Sequence, residues 1–405
     1  MYIASARAGR GSRLGSVPPT VVALGTVSLL TDISAEMITA FMPVYLLFTL
    51  HLSYVQFGLI DGIYTGATAI LRLVGGHVAD RLRRPKLIAG VGYGLSASTK
   101  LLFPAVGAST FGIGALIAVD RAGKGLRTAP RDALISLSVP TERLGTAFGV
   151  HRGMDTIGAL LGPIVTFLLL ANLGSAPTPI FVVSFGFAAV GLIVLMFFVR
   201  ERPVAEVPAG PRPSIRAGLA LLADRRFRRA CAVAGLLGLA TLSDVFVFVL
   251  VQRTTEISIG ALPLLPLLTA GTFLLAAAPL GRLADRVGRW PMFFAGHLLL
   301  LGVYLLLLAP SGGYVVAVAA LVLHGLFYAA TDGVLSAWAS TMIPASLRAS
   351  GLSVVQTGQA LARLTSSVAF GFLLQYTAIG TAVLVAVGTL AAALLVVAQV
   401  TRTSA

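Results

Sequence analysis

The chain has 405 residues, of which 57% are hydrophobic and only 11% charged, and its formal net charge is +15. Soluble proteins carry roughly 25% charged residues, so this chain has too few polar side chains to coat a water-facing surface of its size. A soluble enzyme or soluble binding domain is excluded. Nor does the positive charge form a nucleic-acid face, because most of it lies in short segments between long apolar runs.

At about 20 residues per span, those runs predict an all-α membrane protein with twelve transmembrane helices. In chain order the first six lie near 21–49, 56–79, 87–107, 111–136, 145–171 and 178–199. The second six lie near 230–252, 259–281, 291–309, 313–340, 351–374 and 379–400. Residues 1–199 thus form one six-helix half and 230–405 the other. Between them, 200–229 is rich in Pro, Arg and Glu and reads as a linker, with a short surface helix expected at 217–222. The first run is too long for the apolar core of a signal peptide and is retained as a helix.

Basic residues occupy alternate connections, as the positive-inside rule requires. They are Arg7, Arg10 and Arg13 in the N-terminal tail, then Arg81, Arg83, Arg84 and Lys86 after the second helix. The linker holds eight arginines between Arg200 and Arg229, and Arg282, Arg286 and Arg289 follow the eighth helix. Of the opposite loops, only that after the seventh helix is basic, with Arg253. Both termini are therefore expected in the cytoplasm.

The halves repeat one another. Gly76-His-Val-Ala-Asp80-Arg81 recurs as Gly281-Arg-Leu-Ala-Asp285-Arg286, 281 − 76 = 205 residues later, and Arg143 and Gly153 meet Arg348 and Gly358 at the same offset. Leu30-Thr-Asp32 is echoed, at a slightly larger offset, by Leu242-Ser-Asp244. On these residues the chain resembles the major facilitator superfamily, in particular its bacterial twelve-helix, drug-efflux-like members. That superfamily's loop signature, Gly-x-x-x-Asp-Arg-x-Gly-Arg-Arg, is matched by Gly281, Asp285, Arg286, Gly288 and Arg289. The first copy, Gly76, Asp80 and Arg81, departs from it by placing Arg83 at the second glycine. Gly158-Ala-Leu-Leu-Gly162-Pro163 is similar to the start of the antiporter pattern of the fifth helix, without its double glycine. The run Asp120 to Asp132 also looks like that of a bacterial subgroup. The resemblance implies two pseudo-symmetric bundles, a cavity lined by helices 1, 4, 7 and 10, and alternating access around a midplane site.

Charges inside hydrocarbon each cost about 2.5–3.5 kcal/mol even on the lenient insertion scale, so they mark candidate machinery. Helix 1 carries Asp32 and Glu36 one turn apart. Helix 4 carries Asp120, Arg121, Lys124, Arg127, Arg131 and Asp132, with Asp120 able to pair with Lys124 and a basic face made by Arg121, Lys124, Arg127 and Arg131. Arg121 lies too deep to snorkel and is expected to pair with Asp32 or Glu36. Arg131 and Asp132 are expected to meet the Asp80–Arg81 loop. Helix 5 offers His151, Arg152 and Asp155 at three- and four-residue spacing, a clamp or a proton relay. In the second half Asp244 and the stripe His324, Tyr328, Asp332 are candidates for substrate and proton contact. Arg363 is expected to pair with Asp61, and Lys100 to snorkel outward. Glycines four apart, Gly158 with Gly162 and Gly149 with Gly153, are expected to let helices approach closely.

No Walker loop, metal-ligand spacing or Gly-x-Ser-x-Gly nucleophile motif is present, and one cysteine, Cys231, leaves no internal disulfide. The reading is a cofactor-free, metal-free and monomeric secondary transporter whose partners are a small-molecule substrate, protons and lipid. Efflux by proton antiport of drug-like or metabolite substrates is preferred, and proton-coupled uptake of a small organic anion is the alternative. The topology is directly testable. In cysteine-free protein, Ser175→Cys should be modified by an impermeant maleimide added outside the cell, and Gly210→Cys should be spared. The reverse pattern contradicts the charge argument.

Overall fold

The structure, a computed structural model, describes residues 18–67, 84–140, 143–174, 176–199, 219–255, 257–309, 313–344 and 347–402. The first loop signature (Gly76, Asp80, Arg81) and most of the linker lie outside the described residues. Among the described residues there are twelve helical spans and no strand. They are α1 (Pro19–Pro43), α2 (54–67), α3 (Pro85–Val106), α4 (Thr110–Ser138), α5 (Leu144–Leu173) and α6 (Pro177–Phe198), followed by α7 (Arg225–Thr255), α8 (Leu265–Val287), α9 (Arg289–Leu306), α10 (Gly313–Ser340), α11 (Arg348–Tyr376) and α12 (Ile379–Arg402). Where both ends are described, each matches an expected span to within six residues; the end of the second expected span lies outside the described residues. At the linker's end, 3₁₀ geometry occupies Leu221–Ala223, and α7 starts at Arg225, five residues earlier than expected.

The local sequence explains most helix ends. Proline opens α1, α3 and α6, where its missing N–H has no intrahelical partner to lose. Ser109 and Asp224 cap α4 and α7, their side chains accepting from Gly112 N and Phe227 N. Gly288 ends α8 at φ +101°, a backbone angle that side chains disfavour. It is the second glycine of the loop signature. Eight of the described helices are long and apolar enough to cross a membrane. The charges of α4 keep it out of that set.

Two of the expected continuous helices are broken. α7 runs from Arg225 to Leu239 and resumes at Asp244. The freed backbone groups are taken up by neighbours: Leu242 N donates to the Tyr304 hydroxyl at 2.7 Å, and the Ser366 hydroxyl donates to Thr241 O at 2.9 Å. Such irregular backbone survives at membrane depth only when protein satisfies it. α10 likewise stops at Thr331 and resumes at Val334, so Asp332 sits in the break. α1 remains helical through Pro43 and then passes into a π-helical stretch, Val44–Thr49.

The helices cluster into two compact units, and the division falls after Tyr45. One unit contains α1 and α3 to α6. In it α1 packs chiefly on α5 and then α6, and α3 on α4. The other contains α2 with α7 to α12. In it α8 and α9 flank α10, α7 lies on α11, and α2 crosses α11 where Gly58 and Gly371 face each other's backbone.

The α1–α5 contact is the most extensive among the described helices. A Cβ at Gly158 would sit 2.5 Å from Leu29 O, and one at Gly162 would sit 2.8 Å from Ile33 O. The antiporter-like glycines are thus packing positions against the backbone of α1. Gly149 and Gly153 are not, since a Cβ at either meets nothing within 4 Å. Their side of α5 faces away from its neighbours, which helical spacing alone does not reveal. Gly158→Val should therefore lower the thermal midpoint of the purified protein, overpacking of this kind being worth roughly 1–3 kcal/mol. Gly153→Val should leave it nearly unchanged, and equal effects would refute this assignment.

Candidate functional site

The α1–α5 crossing places side chains as well as backbones. Thr166 on α5 donates to Met37 O at 3.1 Å, and at the other end His151 Nε2 lies 2.8 Å from the Ser28 hydroxyl. Contacts advance together along both chains, so the helices run parallel. Between those contacts Asp155, one turn before Gly158, comes close enough to Asp32 for the two carboxyl groups to interact. A hydrogen bond between two carboxyl groups requires one proton held between them.

Cations surround this pair from two helices. Arg127 Nη2 on α4 stands 3.9 Å from Asp32 Oδ1, with its guanidinium 4.5 Å from the Tyr93 ring centroid. Lys124 is a further electrostatic neighbour of Asp32. Arg131 Nη1 stands 3.9 Å from Asp155 Oδ1 and donates to the Ser28 hydroxyl at 3.3 Å, while its Nη2 holds Asp132 at 2.9 Å. Arg152, largely exposed, reaches Asp155 Oδ2 at 3.5 Å. Arg127 and Arg131 are 4% and 7% exposed, so these interactions act where solvent screens little. Glu36 makes no ion pair within 4.0 Å with a described residue.

Several expected pairings are corrected. Arg121 is not joined to Asp32 or Glu36. It turns toward α3 and binds Asp120 Oδ2 through both Nε and Nη2. Asp120 in turn pairs not with Lys124 but with Lys100 of α3, at 2.6 Å, and accepts from the Ser96 hydroxyl. Lys100 does not snorkel. It is 2% exposed and closes a buried Lys–Asp–Arg clamp between α3 and α4. That clamp forms where Gly92 and Gly123 bring the two backbones together. The basic residues of α4 therefore split: Arg121 serves the α3 contact, while Lys124, Arg127 and Arg131 serve the carboxyl pair. Arg131 and Asp132 pair with each other; their expected loop partners lie outside the described residues. A helical wheel shows the face but not which neighbour each residue meets.

In the second unit, Asp244 opens the resumed segment of α7, and the Tyr328 hydroxyl donates to its Oδ1. His324 Nε2 lies 3.6 Å from the same oxygen. Arg363 does not reach Asp61. Its guanidinium sits 5.7 Å from the Tyr328 ring centroid, while Asp61 accepts from Ser367 on α11. Asp332 is exposed at the α10 break and is not part of the tight contact. In the second loop signature Asp285 pairs with Arg289 at 3.5 Å rather than with Arg286, and Arg289 also donates to Ala337 O at 2.9 Å. Among the described residues no cluster of three or more potential ligands could hold a metal ion. Arg127, Lys100 and Arg363 are the contributors whose partners sequence reasoning missed. The one available signal was polar spacing within each helix, which is blind to contacts between helices.

Known proteins agree with this architecture. Residues 24–364 and 245–404 match the Major Facilitator Superfamily. An uncharacterized MFS-type transporter of Methanocaldococcus jannaschii is 29% identical over 365 residues, covering 87% of this chain and 88% of its own. The enterobactin exporter EntS of Salmonella paratyphi A is 28% identical over 233 residues, 56% of this chain and 50% of its own. Among solved structures, the nucleoside transporter NupG superposes with a TM-score of 0.81 at 14% identity, over 94% of this chain and 98% of that one. That last likeness speaks for the fold alone. With its twelve helical spans, internal repeat and loop signature, the chain is a multi-pass membrane transporter, not an enzyme, and belongs to the Major Facilitator Superfamily.

Proposed function

We propose that the chain is a proton-coupled secondary transporter that exports a small molecule from a bacterial cell by alternating access, as a monomer in the inner membrane with both termini cytoplasmic. The observation that carries this reading is the Asp32–Asp155 carboxyl pair. In this reading the pair shares one proton. If that proton leaves, two negative charges remain side by side. They are tolerable only if Arg127, Lys124 and Arg131 close on them or a cationic substrate group takes the proton's place. Substrate and proton then compete for one site, which is the condition for antiport. The named role of the relative EntS, an exporter, supports the outward direction.

The alternative, proton-linked uptake of a small organic anion, is favoured by a separate observation. Lys124 makes no ion pair within 4.0 Å with a described residue, and Arg127 only just reaches Asp32. An anion bound by these two cations would draw them from Asp32 and strengthen its hold on the proton. Substrate and proton would then travel together. Glu36, Asp244, His324, Tyr328 and Asp332 complete the proposed substrate and proton contacts, with His151 and Arg152 positioning Asp155. Asp80, Arg81, Asp285, Arg286 and Arg289, with Gly76, Gly281 and Gly288 shaping their turns, are proposed as cytoplasmic gating elements.

A thermal-shift screen of purified protein identifies a substrate, because a ligand that binds the folded state raises its stability by mass action. Flux of that compound is then measured in proteoliposomes. Asp32→Asn and Asp155→Asn should each abolish proton-driven movement against a gradient while keeping exchange of labelled for unlabelled substrate. Arg127→Ala should damage both activities, because it leaves Asp32 without its nearest guanidinium. An Asp32→Asn protein that still moves substrate uphill with unchanged pH dependence would defeat the proposal. The sign of the pH effect separates the two readings: outward-directed protons drive uptake of substrate in antiport and its loss in symport.

A further inference from the structure

His324 is fully buried on α10, and neither ring nitrogen has a hydrogen-bond partner among the described residues. Leaving a buried polar group unsatisfied costs about 1–3 kcal/mol, so a second arrangement that pairs it is to be expected in the transport cycle. Aromatic rings enclose it: Phe248 on α7 at 5.9 Å between centroids, Phe327 at 6.1 Å and Tyr328 at 5.2 Å. Its nearest acceptor is Asp244 Oδ1, 3.6 Å from Nε2 and beyond hydrogen-bond reach. That oxygen already accepts from the Tyr328 hydroxyl. One carboxylate oxygen therefore has two candidate donors, one bound and one just out of reach.

The other charged and titratable groups near the site can be named helix by helix. On α10 itself they are Tyr328 and Asp332. From α11 comes Arg363, whose guanidinium lies by the Tyr328 ring and whose buried Nε has no hydrogen-bond partner among the described residues. From α9 comes His297, behind Phe327 and bonded to Phe293 O. From α2 comes Asp61, held by Ser367 and Ser243 and close enough to interact with Asp244. From α8, Thr269 and Thr272 pack against Gly325 with no charge at this level. Asp244 begins the segment that follows the α7 break.

We propose that His324 and Asp244 form a second proton-binding site, in the second unit, filled when Tyr328 releases Asp244. The inference rests on the proton-coupled reading above. A proton taken from water binds the open imidazole nitrogen, and the imidazolium then pairs with the Asp244 carboxylate. Tyr328 keeps its own proton throughout. Loss of the bound proton to the opposite side restores the Tyr328–Asp244 bond. Asp32 and Asp244 occupy repeat-related positions on α1 and α7. The cycle thus carries two protons, one in each unit.

The test uses full-length protein labelled with ¹⁵N-histidine in lipid nanodiscs, followed by nuclear magnetic resonance between about pH 5 and about pH 9, the range that spans histidine titration. His324→Gln assigns the imidazole signals by their loss; if that variant does not insert, His324→Asn serves. The wild-type His324 signals should move with pH. They should stop moving in Asp244→Asn and continue to move in Asp32→Asn. Signals that stay fixed across the range, or that titrate identically in Asp244→Asn, overturn the second site. The coupling role of Asp32 is read separately, by flux, so either proposal can fail without the other.

Discussion

The close crossing of α1 and α5 sets the chemistry of the first unit. Gly158 and Gly162 remove the side chains that would hold the two backbones apart. With that spacing, the residue one turn earlier on α5 and the residue one turn later on α1 meet, and both are aspartates. Two carboxyl groups brought together at membrane depth need a proton, cations or both. α4 supplies the cations with three basic residues, and α3 holds α4 in place through the Lys100–Asp120–Arg121 clamp. Breaking a buried pair of this kind by removing one partner costs about 3–5 kcal/mol, so the clamp is a strong fixture. Packing sets the spacing of α1 and α5, the clamp fixes α4 against α3, and the titratable pair lies between them. The pair is therefore the element whose charge can change without unfolding the rest.

The two units begin from related sequences and have diverged in how they hold the repeated aspartate. Asp32 lies inside an unbroken stretch of α1 and faces a second carboxyl group. Asp244 begins a resumed helix and faces a tyrosine, a histidine and, through the tyrosine, an arginine. The α7 break is stabilised by Tyr304 and Ser366, residues from α9 and α11. No counterpart of that break is seen in α1, which departs from regular geometry only at its far end, in Val44–Thr49. A rigid carboxyl pair in one unit and a carboxylate at a helix discontinuity in the other are different mechanical devices.

Much of the fold was legible in the sequence, because hydrophobic run length is set by bilayer thickness and loop charge by membrane orientation. Twelve spans follow from run length, while the repeat and the loop signature are legible as residue matches between the halves. Side-chain partners were not legible. Arg121 was expected to meet Asp32 because both are charged and deep, but it bonds the aspartate beside it, while Arg127, six residues on, lies nearest to Asp32. Lys100 was expected to reach outward, as an isolated lysine would, since nothing within α3 shows that Asp120 lies opposite. The breaks at 240–243 and 332–333 were equally hidden. Both occur in apolar runs whose only local sign is a short polar group, Ser243-Asp244 or Asp332-Gly333, and what stabilises the first comes from distant helices.

The central claim is that Asp32 and Asp155 hold one proton between them in the state described. Infrared difference spectroscopy of the protein in lipid near neutral pH reads this directly, because a protonated carboxyl group has a C=O stretch that a carboxylate lacks. The account predicts a band in the wild-type protein that disappears in Asp32→Asn and equally in Asp155→Asn, since either change leaves the remaining carboxylate ionised beside its arginine. A wild-type band that survives both substitutions, or no difference between wild type and either variant, would contradict it.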